Sequence, residues 1–138
     1  MTCFGWALLS AFFAGVTAVL AKVGVQQVNS NLATAIRTVV ILIFAWSIAL
    51  FTHAQSLSSI GKRTWLFLIL SGIATGLSWL CYFRALQLGD ASRVAPVDKL
   101  SVLVAIILAA IFLGEQVTWQ HWVGGGLIFV GAGILAYA

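Results

Sequence analysis

The chain has 138 residues, of which 62% are hydrophobic and only 7% are charged. Its mean hydropathy is +1.12, whereas about 25% of the residues of an ordinary soluble domain are charged. This composition excludes a soluble domain and indicates an integral membrane protein. The formal net charge is +4, but no basic run is longer than Lys62-Arg63, so the sequence does not predict binding to nucleic acid.

Five apolar stretches predict five membrane-spanning helices, at residues 4–25, 32–52, 64–87, 93–113 and 118–137. Each is close to the roughly 20 residues that a helix needs to cross the hydrocarbon core of a bilayer. The first stretch is too long for the core of a secretory signal and no basic region precedes it, so we retain it as a span. We therefore predict an all-α polytopic membrane protein, with residues 1–138 forming a single transmembrane domain embedded in a lipid bilayer.

An odd number of spans places the two chain ends on opposite sides of the membrane, which we call side A for the N-terminus and side B for the C-terminus. The basic residues toward side B are Lys22, Arg37, Arg84, Arg93 and Lys99, whereas Lys62 and Arg63 lie toward side A. The positive-inside rule then predicts a cytoplasmic C-terminus in the inner membrane. If Arg37 and Lys99, which lie deeper in their spans, are not counted, three basic residues remain toward side B and two toward side A. This near balance also permits insertion in both orientations.

Polar residues inside the second and third spans are the first candidates for a binding site. Arg37 is predicted about six residues inside the second span, on one face with Thr34 and Thr38. The third span carries a stripe of polar residues along one face, formed by Ser71, Thr75, Ser78 and Tyr82. Such a stripe either hydrogen-bonds to neighbouring helices or lines a cavity, and Trp79 beside it is a candidate for a cavity wall.

The junction between the third and fourth spans contains two residues with restricted or unusual backbone behaviour. Gly89 is expected to adopt the left-handed conformation that ends a helix. The next helix is expected to start near Ser92, so that Pro96 falls in its first turn, where a missing N–H group has no partner to lose.

Asp98 and Lys99 follow inside the fourth span. An ionisable group in the hydrocarbon region costs at least about 2.5–3.5 kcal/mol on insertion scales, which marks this pair as a functional-site hypothesis. Sequence neighbours on a continuous helix do not face each other, so each charge is expected to find its partner elsewhere. Arg37 at matching depth is a candidate partner of Asp98, either as a purely structural ion pair or in a working role, and Ser101 shares the face of Asp98.

Three segments give the sequence a resemblance to a known family. They are Ala85-Leu-Gln-Leu-Gly-Asp-Ala-Ser-Arg-Val-Ala-Pro96, Leu113-Gly-Glu115, and a last span with Gly124, Leu127-Ile128 and Gly131. They resemble the EamA-like domain of the drug/metabolite transporter superfamily, and Leu32-Ala-Thr-Ala-Ile-Arg37 is similar to that family's arginine-bearing second span. Most members carry two five-helix repeats inserted in opposite senses and move small metabolites such as amino acids. This chain is similar to the half-size members with one such repeat.

The resemblance and the single repeat together predict a secondary transporter, an exporter, of a small polar metabolite. Inverted repeats form the substrate site between them near the bilayer midplane, so one repeat offers half a cavity. We therefore expect a dimer that works by alternating access, most simply an antiparallel homodimer. In this hypothesis Asp98 takes a proton or pairs with a cation, while Arg37 and Lys99 orient it or hold a substrate carboxylate.

Two alternatives remain open, a small multidrug-type efflux protein and a non-transporting membrane subunit or scaffold. The first would need an acid in the first span, which has none. An enzyme is not expected, because His53 and His121 lie far apart and no spacing suits a metal or a nucleophile with its base. No cofactor or metal is expected. The candidate substrate- or ion-binding residues are Arg37, Ser78, Trp79, Tyr82, Asp98, Lys99 and Ser101, with Gly89 and Pro96 at the helix junction.

Overall fold

The structure, a computed structural model, describes residues 2–52 and 57–138 apart from the side chain of Ser58. His53 therefore lies outside the described residues. The described part of the chain is helical and contains no strand. Its helices are α1 (Cys3–Val25), α2 (Ser30–Phe51), α3 (Lys62–Leu88), α4 (Ala91–Asp98), α5 (Ser101–Leu108) and α6 (Trp119–Tyr137). A 3₁₀ turn at Leu57–Ser59 precedes α3, and a π-helical turn at Ala109–Leu113 continues α5.

Four helical stretches within the described residues are long and apolar enough to cross a membrane. They are α1, α2, α3 and the combined stretch Ala91–Leu113. The last of these has 23 residues, a length of about 34 Å against a hydrocarbon core of about 30 Å. The last helix, α6, has 19 residues and carries the polar Gln120 and His121 in its first turn. The predicted all-α polytopic membrane fold is confirmed.

Local sequence explains where α2 and α6 begin. The side chain of Asn29 accepts hydrogen bonds from the backbone N–H groups of Asn31 and Leu32, at 2.9 and 3.4 Å. This N-cap satisfies donors that the first turn of a helix cannot satisfy by itself. At α6 the backbone N–H of Thr118 donates to Nδ1 of His121 at 3.1 Å, so His121 fixes the start of the last helix.

The chain divides into two compact units, which we describe separately. The terminal unit comprises Met1–Lys22 and Leu88–Ala138 and contains most of α1 together with α4, α5 and α6. The central unit, Val23–Gln87, contains the end of α1 together with α2 and nearly all of α3. Few apolar side chains are buried in either unit, and most of the large ones are exposed, as expected of helices whose surfaces face lipid or a partner.

A hairpin of the fourth and last spans organises the terminal unit. α6 packs mainly against α4, and its Gly125 is buried against the side chain of Leu103 in α5. A Cβ atom at position 125 would lie 2.6 Å from Cδ2 of Leu103, so the absence of a side chain permits this close approach. Ala132, seven residues further along α6, is 4% exposed. Small residues of the last span thus contact the chain's own fourth span at Gly125, whereas Gly124 and Gly126 have open space where a Cβ would be.

In the central unit, Gln87 near the end of α3 holds the end of α1. Its Nε2 donates to the carbonyl of Val28 at 3.0 Å and to that of Val25 at 3.4 Å. Its Oε1 accepts a hydrogen bond from Arg84 at 2.7 Å. Because the last carbonyls of a helix have no partner within the helix, this side chain supplies donors that α1 lacks.

The change Gln87→Glu is expected to lower the free energy of unfolding of the protein by about 1–2 kcal/mol. A carboxylate keeps the acceptor for Arg84 but has no N–H to donate, so two part-buried carbonyls lose their donor. The protein is heated in detergent, and the temperature at which its monodisperse chromatography peak is lost measures the effect. Gln27→Glu is the matched control, because Gln27 is exposed and acquires the same charge. Equal melting of the two variants would contradict the role of Gln87.

Candidate functional site

The fourth span changes from α-helical to 3₁₀ hydrogen bonding at its charged residues, although its backbone stays right-handed helical there. α4 ends at Asp98, and α5 starts again at Ser101. Between them, the N–H of Lys99 donates to Pro96 at 3.1 Å and the N–H of Leu100 donates to Val97 at 3.0 Å. These bonds connect residues three apart, the pattern of a 3₁₀ turn, and a mid-helix stretch of this kind often marks a hinge or a strained sequence.

Pro96 lies just before the 3₁₀ turn and not in the first turn of its helix as predicted. α4 begins at Ala91 after an Asp90 N-cap, so Pro96 is well inside the helix. A proline there has no N–H to donate to the carbonyl one turn earlier, that of Ser92, and its ring crowds that carbonyl. The proline therefore weakens α4 within a few residues of the point where the helix ends.

Asp98 and Lys99 form an ion pair with each other, so the expectation that they point apart is wrong. The Lys99 ammonium lies 3.5 Å from a carboxylate oxygen of Asp98. Both residues have right-handed helical backbone, so the long, flexible side chain of Lys99 reaches the neighbouring carboxylate. The side chain of Asp98 is 37% exposed and that of Lys99 is 57% exposed, and Ser101 is also exposed. Such charges are costly against lipid, so this surface requires water or protein around it.

In the central unit, the guanidinium of Arg37 lies against aromatic rings of α3. Its central carbon is 4.6 Å from the ring centre of Trp79 and 5.2 Å from that of Phe83. The two aromatic residues are four positions apart, so they are neighbours on one face of the helix. Both distances are within the range of a cation–π interaction, in which the negative ring face attracts the cation. We call this arrangement the Arg37 clamp.

No carboxylate is available to Arg37 within its own unit. The sequence from Val23 to Gln87 contains no aspartate or glutamate, and the three acids of the chain are Asp90, Asp98 and Glu115. Asp98 belongs to the terminal unit, so its pairing with Arg37 stays a prediction. The nearby Thr34 and Thr38 hydroxyls donate to carbonyls of α2 itself, at 2.9 and 2.8 Å.

The predicted polar stripe of α3 borders the Arg37 clamp. Tyr82 is half-buried and close enough to the guanidinium of Arg37 to interact with it electrostatically. Ser78, one turn earlier, is exposed, and Thr75 donates its hydroxyl to the carbonyl of Ser71 at 2.9 Å. The central unit therefore brings together Arg37, Trp79 and Tyr82 among the predicted site residues.

Phe83 was not among the predicted site residues. Phe83 is 3% exposed, and its ring is the second aromatic ring that contacts the guanidinium of Arg37. The signal that could have identified it is the spacing of four between two aromatic residues on one helix face. The sequence does not show which face of α3 meets Arg37.

Gly89 has a different role from the one predicted for it. The structure places positive φ at Gly114, with φ of +66°, and not at Gly89. The carbonyl of Gly89 instead accepts a hydrogen bond from the ammonium of Lys22 at 2.8 Å, within the terminal unit. A basic side chain that caps the carbonyls beyond α3 is electrostatically favourable at a helix C-terminus.

These features define a polytopic helical membrane protein with ionisable groups inside its spans and a 3₁₀ turn at a charged pair in its fourth span. Irregular stretches of membrane helices carry substrate and ion sites in many secondary transporters. The chain belongs to the EamA-like transporter family, whose sequence model matches residues 1–137. The resemblance found in the sequence is thus confirmed.

Two relatives extend this comparison. The chain is 58% identical over 132 residues to an "uncharacterized transporter in cobO 3'region" of Sinorhizobium sp., a match that covers 95% of this chain and 94% of the relative. It is 29% identical over 93 residues to a "probable 4-amino-4-deoxy-L-arabinose-phosphoundecaprenol flippase subunit ArnE" of Aeromonas salmonicida (strain A449), covering 67% of this chain and 76% of the relative. No solved structure matches the chain.

Proposed function

We propose that this chain is one half of a secondary transporter that exports a small polar metabolite, such as an amino acid. The observation that carries the proposal is the Asp98–Lys99 ion pair at the 3₁₀ turn of the fourth span. A charged pair inside a membrane span is costly unless it has a function or a polar environment. The 3₁₀ turn at Lys99 and Leu100 is the proposed hinge between the two helical segments of this span, and it supports the proposal because mid-helix 3₁₀ stretches often mark hinges.

Asp98 is the coupling residue of this proposal. Its carboxylate can take up a proton or a cation, and either event would release Lys99 from the ion pair. In this proposal α4 and α5 then change their relative angle at the 3₁₀ turn, as hinge residues do in transporters and enzymes. Lys99 is the counter-ion that holds Asp98 while no substrate or proton is bound.

The working unit of the proposal is a dimer of two five-helix halves that work by alternating access. In transporters with inverted repeats the substrate site lies between the halves, and this chain, with a single repeat, would supply one half. The exposed polar stripe of α3 supports a second half, because hydroxyl groups inside a span should not face lipid. An antiparallel homodimer in the inner membrane is the simplest form, and a cytoplasmic C-terminus would hold for the copy inserted by the positive-inside rule.

A second candidate function is a subunit of a lipid-linked sugar flippase. The observation that favours it is the relative named as a flippase subunit, which is 29% identical to this chain over 93 residues. In that case the transported molecule would stay anchored in the membrane by its lipid and would not appear in the culture medium. This difference separates the two candidates experimentally.

Export is tested by untargeted mass spectrometry of bacterial culture medium and of extracted lipids. Cells that express the chain are compared with cells that carry the empty vector, at equal growth. The proposal expects one or a few small polar metabolites to rise in the medium of expressing cells. A change confined to surface lipids would favour the flippase subunit, and no change in either fraction would contradict both functions.

A further inference from the structure

We infer that the Arg37 clamp binds an oxyanion of the transported solute, a carboxylate or a phosphate group. This inference rests on the proposed transport function and adds to it the chemical group that the substrate must carry. The clamp consists of Arg37 with the rings of Trp79 and Phe83. It lies entirely within the central unit.

The clamp leaves the charge of Arg37 incompletely satisfied. A guanidinium has five N–H donors, which lie in its plane and point away from its faces. Ring contacts attract the cation but offer those N–H groups no oxygen acceptor. The sequence of the central unit contains no aspartate or glutamate, and the polar side chain known to interact with this guanidinium, that of Tyr82, carries no full negative charge to neutralise it.

The two aromatic rings hold the guanidinium of Arg37 in an orientation in which it can bind an anion. An arginine side chain normally loses much rotamer freedom when it binds a ligand. Trp79 and the nearly fully buried Phe83 already restrict the guanidinium. A pre-organised guanidinium loses less entropy, and its planar fork matches two oxygens of a carboxylate or a phosphate.

The Arg37 clamp lies inside a membrane span, which strengthens its attraction for an anion. An isolated cation in the hydrocarbon region is unfavourable, so an oxyanion that neutralises it is bound more strongly there than on the surface. Arg63 provides an internal comparison. Its guanidinium lies 5.9 Å from the ring centre of Phe67, but it is in the first turn of α3 and exposed. A solvated arginine of this kind has water as its partner and is not expected to bind an anion tightly.

Trp79 allows the inference to be tested directly, because it contacts the proposed binding group. Five tryptophans are replaced by phenylalanine, namely Trp6, Trp46, Trp65, Trp119 and Trp122, which leaves Trp79 as the fluorophore. The protein in an uncharged detergent is titrated with inorganic phosphate and separately with acetate, with chloride holding the ionic strength constant. We expect a saturable change in Trp79 emission with at least one of the two anions.

Matched variants identify the residue responsible. Arg37→Gln is expected to weaken anion binding by about tenfold or more, the usual effect of losing a charge-assisted hydrogen bond. Arg37→Lys keeps the charge without the planar fork and should bind more weakly than the unchanged protein but more tightly than the glutamine variant. Arg63→Gln should leave the titration unchanged. Equal responses of all variants, or no saturable change with either anion, would overturn the inference.

Two further arms separate other sources of the signal. If Asp98 already neutralises Arg37, the anions will bind only after Asp98→Asn, and this result would overturn the inference. A response to phosphatidylglycerol but to neither free anion would assign the clamp to a lipid headgroup and overturn the solute assignment. If the single-tryptophan protein does not fold, the protein with all its tryptophans is heated with phosphate or acetate instead. An anion that binds at Arg37 should raise the melting temperature of this protein but not that of Arg37→Gln.

The binding test is independent of the export test. Anion binding in detergent requires neither a gradient nor a known metabolite. If export fails while the Arg37 clamp still binds an oxyanion, the proposed function is wrong and the site remains. If export succeeds while no anion binds, only the inference about Arg37 is wrong.

Discussion

Asp98→Asn is expected to reduce export by roughly tenfold or more and to remove its dependence on external pH. An amide can neither take up a proton nor form an ion pair, so the charged interaction with Lys99 and any proton coupling are lost together. The measurement is the amount of exported metabolite in the medium per unit of membrane-inserted protein, over a series of pH values.

Asp90→Asn is the matched control for this change. Asp90 is an exposed N-cap residue of α4 whose side chain makes no capping hydrogen bond. The chemical change is the same, but Asp90 lies before the span, so export and its pH dependence should stay within about twofold of the unchanged protein. Unchanged export and pH dependence in Asp98→Asn would make Asp98 a structural partner of Lys99 and contradict the coupling role.

Gly125→Val is expected to destabilise the protein by about 1–3 kcal/mol, the usual range for overpacking. Even a single Cβ at this position would lie 2.6 Å from Cδ2 of Leu103. The Leu103 side chain has to move, and the branched valine leaves it less room than alanine would. Thermal unfolding in detergent measures the loss.

Two variants show whether this contact is the cause. Gly126→Val makes the same chemical change one residue away, where nothing lies within 4 Å of the added Cβ, and should have a much smaller effect. Leu103→Ala combined with Gly125→Val should recover part of the lost stability, because it removes the atom that the valine meets. Equal destabilisation at both glycines, or no recovery in the double variant, would contradict the packing between α5 and α6.

The fold class could be predicted from the sequence because a bilayer imposes strong constraints on composition and length. Five long apolar stretches in a chain with 7% charged residues leave little choice but membrane-spanning helices. The N-cap at Asn29 was also predictable, since a cap depends on residues within three positions of one another. Both features are determined by local sequence.

The 3₁₀ turn in the fourth span was harder to predict. Pro96 signals a weakened helix, but it does not determine at which residue the hydrogen-bond pattern changes. The Asp98–Lys99 pair was missed for a different reason: the spacing rule for helix faces describes where side chains leave the backbone, and it does not account for how far a lysine side chain reaches.

The Arg37 clamp was predictable only in part. Arg37 and Trp79 stood out because a cation and a lone central tryptophan are unusual inside spans. Phe83 has no such distinction among the nine phenylalanines of the chain. Its role depends on which face of α3 meets α2, which is a tertiary property that residue spacing within a single helix does not determine.

The central claim is that two five-helix halves of opposite orientation form one transporter, and the topology of the C-terminus tests it most directly. Cys3 and Cys81 are replaced by serine and one cysteine is introduced by Ala138→Cys. Intact and opened cells are then labelled with a membrane-impermeant maleimide. The account predicts that about half of the protein is labelled from outside in intact cells and the remainder only after opening, as an antiparallel homodimer requires. Labelling of all copies from one side alone would contradict the antiparallel homodimer.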